Sequence, residues 1–219
     1  MDFMSGRYNS KQFRYRLQLK VINMEDENHL YRKEFYVLWC TGIKDDPVKE
    51  YVIVCSATLY GGKTTIIRNF YSLATDSWRA EDKFLAWLSN DPYVAESSTL
   101  DIEIISNVSP LFPFSSAFAD LITSYRLQEK TVNVELKMVR LINVEGNDDD
   151  TDENKDGLRI LHSSGIKLSP VSGKDWGYLR QILRENKGLV YQEDNFIKVR
   201  KQLSRIIKDP QDAQTNVNF

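Results

Sequence analysis

The sequence predicts an α+β fold: an antiparallel sheet or small open barrel of about five to six strands, with helices on one side and a C-terminal helical pair. Three observations predict it. β-rich runs dominate the first half of the chain, apolar spacing becomes helical mainly toward its end, and no regular strand–helix alternation runs throughout.

In chain order, Phe13, Tyr15, Leu17, Leu19 and Val21 alternate with Arg14, Arg16, Gln18 and Lys20. This strict period of two predicts a strand with one buried and one cationic face. Leu30 to Cys40 is rich in aromatics (Tyr31, Phe35, Tyr36, Trp39), which predicts a second strand. Gly42, Asp45, Asp46 and Pro47 then form a turn. Tyr51 to Tyr60 and Lys63 to Leu73 are two further strands parted by Gly61 and Gly62, the pattern of a tight hairpin in which glycine supplies positive φ.

The period then changes. Phe84, Leu85, Trp87 and Leu88 predict a short helix over Ala80–Ser89, ended before Pro92. Thr99 to Ser106 is a strand, and Pro110 and Pro113 fix a loop. Phe118, Leu121, Ile122 and Tyr125 stand at helical spacing within Ser115–Tyr125, and Thr131 to Val144 is a long strand. Glu145 to Asp156 holds seven acids and one lysine and predicts a solvated linker. Trp176, Leu179, Ile182 and Leu183 mark a helix over Asp175–Glu185, with Gly188 placed to end it. Phe196, Val199, Leu203 and Ile206 form the apolar stripe of a last helix, Asn195–Lys208, stopped by Pro210. The expected organisation is therefore a β-rich body (1–144), an acidic linker (145–157), a basic helical appendage (158–208) and a disordered tail (209–219).

The chain has 219 residues, of which 42 % are hydrophobic and 27 % charged, ordinary globular usage. No apolar run reaches the roughly 20 residues of a membrane span, and Met1–Arg7 starts no signal peptide. Only Cys40 and Cys55 occur, both in apolar stretches, which predicts free buried thiols. The chain is expected to be soluble and intracellular, cytoplasmic or nuclear, so the sequon Asn107-Val108-Ser109 carries no weight.

Net charge is −2, but it is unevenly spread. Residues 1–23 carry five Lys/Arg and one acid, residues 24–157 thirteen against twenty-four, and residues 158–208 eleven against four. Basic ends on an acidic body point to an anionic partner. Lys198, Arg200, Lys201, Arg205 and Lys208 surround the apolar stripe of the last helix, and Arg14, Arg16 and Lys20 share one strand face; these are the candidate contact residues.

Ala57-Thr58-Leu59-Tyr60-Gly61-Gly62-Lys63-Thr64 is a loosened phosphate-loop pattern, in which Gly62, Lys63 and Thr64 would hold a nucleotide. The β-branched residues after it favour a hairpin. His29 and His162 stand in unrelated contexts, and the cysteines and histidines show no zinc spacing. Asp148, Asp149, Asp150 and Asp152 lack the glycine and terminal glutamate of a calcium loop. No catalytic residue, metal or cofactor is expected. The function expected from the sequence is a non-enzymatic binding or assembly subunit whose basic C-terminal helices contact another protein, possibly acidic. A nucleic-acid-binding module is the alternative, a nucleotide-binding enzyme the second alternative, and no membrane partner is expected.

Overall fold

The computed structural model describes residues 32–43, 47–142, 151–183 and 193–208. Their order is α1 (Arg32–Ile43), β1 (Glu50–Leu59), β2 (Thr64–Leu73), α2 (Ala80–Asn90), α3 (Pro92–Glu96), β3 (Thr99–Val108), α4 (Phe112–Leu127), β4 (Thr131–Arg140), α5 (Thr151–Ser163), β5 (Lys167–Pro170), α6 (Gly173–Leu183) and α7 (Glu193–Lys208). The fold is α+β. The predicted first strand, with Arg14, Arg16 and Lys20, lies outside the described residues, as do Gly188 and the tail 209–219.

The sheet is open and mixed, in the order β2-β1-β3-β4-β5. β1 pairs antiparallel with β2 and β3, whereas β3/β4 and β4/β5 are parallel. The expectation of an antiparallel sheet therefore holds for only half of it. The reason is the connections: α4 joins β3 to β4 and α5 joins β4 to β5, and a helical crossover returns the chain in the same direction. β5 is a strand inside the segment predicted as helical. Pro170, its last residue, suits an edge position because proline has no ladder donor.

Helices cover both faces, not one. On the first face Val52 and Val54 of β1, Ile105 of β3 and Val139 of β4 pack with Phe35 and Leu38 of α1 and with Trp176 and Leu179 of α6. On the other, Ile53, Cys55, Ala57 and Leu59 of β1 meet Phe84 and Leu88 of α2, Phe118 and Ile122 of α4, Leu158 and Leu161 of α5, and the stripe of α7. Neighbouring β1 residues thus enter different cores, as two-residue periodicity requires. Rings fill both: Phe84 and Phe118 meet edge-on at 5.4 Å, Trp39 and Trp176 at 5.2 Å.

The predicted strand over 30–40 is instead α1. Its large apolar residues Phe35, Leu38 and Trp39 lie at i, i+3 and i+4, so burial on one helical stripe outweighs their β propensity. The part of the acidic run from Thr151 onward is helical, because Leu158 and Leu161 anchor α5 in the core, and residues 145–150 lie outside the described residues. Pro113 lies in the first turn of α4, where its missing N–H costs nothing, so the helix starts earlier than predicted. Asn107, fully buried at the end of β3, accepts from Val52 N–H at 2.9 Å and donates to Glu50 O at 2.8 Å and Thr41 Oγ1 at 3.3 Å. One side chain thereby joins β3, β1 and α1.

Candidate functional site: a cationic cleft

The position of α7 is set by its apolar stripe. Val199, Leu203 and Ile206 are buried against Leu136 and Met138 of β4 and Leu158 and Leu161 of α5. Asn195 Nδ2 donates to Val139 O at 2.7 Å and fixes the start of the helix. Arg159 Nε donates to Ile206 O at 3.3 Å and satisfies a carbonyl of its last turn. With that stripe inward, Lys198, Arg200, Lys201, Arg205 and Lys208 are all exposed. Lys198 is engaged with another group. Arg200, Lys201, Arg205 and Lys208 make no ion pair or hydrogen bond with any described residue. No acid among the described residues neutralises them there.

Between one side of α7, strand β5 and the first turn of α6 lies a cleft of about 720 Å³. Its walls carry five cations and two acids. Two of those cations are already paired. Lys137, only 12 % exposed, sits 2.6 Å from Asp175 and 3.1 Å from Glu103, and Lys167 sits 3.0 Å from Glu135. Lys174, Arg200 and Lys208 remain without a partner among the described residues. Leu168, Phe196, Leu203 and Ile207 supply an apolar lining, and Ser204 an exposed hydroxyl.

The paired ions make the wall rigid. Ser172 N–H and Oγ–H both donate to Asp175 Oδ2 at 2.6 Å, and Asp175 N–H returns to Ser172 Oγ at 3.4 Å. This is a capping box at the start of α6. Burial pushes the Asp175 carboxyl up, but the Lys137 ammonium and the Ser172 donors outweigh it and hold Asp175 below the usual carboxylate range. Burial likewise pulls the Lys137 ammonium down, and Asp175 and Glu103 more than restore it. Both groups are charged at neutral pH, and Lys137 ties β4 to α6.

The segment 57–64 is a hairpin and not a phosphate cradle. Tyr60, Gly61 and Gly62 have φ of 52°, 63° and 91°, and Thr64 begins a strand rather than a helix. Gly62 and Lys63 N–H both donate to Leu59 O, at 3.2 and 3.1 Å. Tyr60 N–H donates to Ser97 Oγ and Gly61 N–H to Thr99 Oγ1. The amides that would wrap a phosphate are therefore already bonded, and Gly62, Lys63 and Thr64 sit in a strand-to-strand turn without the following helix of a phosphate loop.

Beyond the ends of α1 and α6 the first sheet face is polar. Thr58, Asp101, Glu103, Asn133 and Glu135 lie beside a shallow hollow of about 480 Å³. Its groups are mutually satisfied: Asn133 donates to Asp101 at 2.8 Å and Ser169 to Glu135 at 2.9 Å. Among the described residues no cluster of His, Cys, Asp or Glu is arranged to hold a metal, and no helix is long and apolar enough to cross a membrane. Cys55 is buried and Cys40 half-buried; neither is in a disulfide, and burial pushes the Cys55 thiol well above its ordinary pKa.

The chain matches no protein-family model and no curated protein sequence. The spacing of Arg200 and Lys208 about the α7 stripe was readable in the sequence. Lys174 was not, because it joins them only through the packing of α6 beside β5.

Proposed function

We propose that this protein is a non-enzymatic binding subunit that holds an acidic protein partner on the basic outer side of α7. The observation that carries this reading is the charge pairing. Arg200, Lys201, Arg205 and Lys208 project from a helix whose opposite side is in the core, and no described acid meets them. Exposed cations on a fixed helix, with no described acid to be displaced first, present an ordered positive field to an anionic surface.

The test is co-purification of the native protein, with and without nuclease, followed by mass-spectrometric identification. Wild type is expected to retain an acidic protein after nuclease treatment, and Arg200→Glu/Lys201→Glu/Arg205→Glu to lose it while its circular dichroism is unchanged. Recovery of the same partners by the triple variant would refute the reading. Loss of every partner on nuclease treatment would transfer it to nucleic acid, whose contacts weaken steeply with salt.

A further inference from the structure

We infer that the cleft between α7, β5 and α6 is the recognition site itself, and that it takes a short extended peptide segment in which acidic and apolar residues mix. This rests on the acidic-partner reading and narrows it from a helix face to one groove and one kind of ligand.

The lining supports both halves of the ligand. Lys137 and Lys167 are held by Asp175 and Glu135, so three cations of the lining have no partner among the described residues: Lys174 on α6, and Arg200 and Lys208 on α7. Arg200 and Lys208 are eight residues apart on one helix, about 12 Å along its axis. A single phosphate or carboxylate cannot meet both. An extended chain rises about 3.3 Å per residue, so acids at positions i and i+4 lie about 13 Å apart and match that span. Lys174 lines the same cleft from α6 and adds its charge to the field that meets those acids. Leu168, Phe196 and Ile207, all half-buried, then offer apolar surface to the apolar side chains of the same segment. A nucleic-acid strand would instead want a continuous basic groove and open aromatic faces for its bases, whereas the cleft has aliphatic walls and one half-buried ring, Phe196.

The ligand class does not include an added sheet strand. β5 has four residues and ends in Pro170, so its outer edge has too few donors for a backbone ladder. Recognition runs through side chains.

The test is fluorescence anisotropy with a labelled heptapeptide alternating Glu and Leu, its Lys-for-Glu counterpart, and an oligothymidylate of equal charge. The probes are titrated against wild type, Lys174→Glu/Lys208→Glu, and the charge-matched control Lys49→Glu/Lys63→Glu. The control pair changes exposed cations beside β1 and β2 that do not line the cleft. The expected result is binding of the Glu/Leu peptide alone, weakened about tenfold or more by the cleft variant and within about twofold of wild type for the control. Equal weakening by both variants would overturn the cleft, since binding would then follow net charge alone. Failure of the peptide to bind, with the native partner still lost from the triple variant of α7, would overturn the cleft and spare the wider reading. Preference for oligothymidylate would overturn both.

Discussion

Glu81 illustrates how much one buried side chain governs. It is 7 % exposed in α2, and its Oε1 accepts from Leu111 N–H at 3.2 Å, capping the start of α4. Burial pushes its carboxyl up to about 7, against the opposing pull of the Leu111 hydrogen bond and Arg79, with Asp82 adding to the rise. In the unfolded chain a glutamate titrates near pH ~4.3. Between these two values the folded state binds the extra proton, so stability falls as pH rises. The contribution is complete below the unfolded pKa and lost as pH rises through about 7, on the order of 4 kcal/mol at most. Glu81→Gln keeps an oxygen for Leu111 and cannot ionise. Its Tm is expected to be close to wild type at pH 5 and above it at pH 8; a difference independent of pH would show that Glu81 does not titrate in this window.

At the scale of elements, two glycines separate packing from propensity. A Cβ on Gly157 of α5 would lie 3.1 Å from Ser115 Cβ and 3.2 Å from Phe112 Cα of α4, so the two helices touch backbone to backbone. A Cβ on Gly177 of α6 would meet nothing within 4 Å. Alanine is ordinarily better than glycine in a helix by ~1 kcal/mol. Gly177→Ala is therefore expected to raise stability by ~0.5–1 kcal/mol, and Gly157→Ala to lower it, because Phe112 Cα cannot step aside. Denaturant unfolding of both checks this, and a stabilising Gly157→Ala would mean that α4 and α5 are not in close contact. The same contrast explains which elements were legible. The hairpin at Gly61-Gly62, the strand from Thr99 and the stripe of α7 announce themselves through neighbouring residues. α1 reads as a strand because aromatics that favour strands also fill a helical stripe. β5 was missed because four residues show too little period, and because its place depends on the edge left open by β4.

For the molecule as a whole, the C-terminal helices complete the core. Leu158, Leu161, Val199, Leu203 and Ile206 belong to the same apolar cluster as Leu136 and Met138. Thermal unfolding is expected to follow one cooperative transition. A chain ended at residue 192 should melt at least several degrees lower and bind a hydrophobic dye, since β4 then loses its cover. An unchanged Tm would mean that α7 contributes little to the fold. Sequence periodicity found the two ends of this arrangement, the strands of the body and the basic last helix, but not that α6 and α7 clasp opposite faces of the sheet beside β5. That depends on the β3–α4–β4 and β4–α5–β5 crossovers, which no local pattern near Lys174 or Arg200 records. The buried amide of Asn107 carries a last consequence. A sugar attached there would have to be added before β1 closed on β3, and it would stand where Val52, Glu50 and Thr41 now meet. The modified chain could not seat its first strand, so in the folded protein this glycosylation signal is silent.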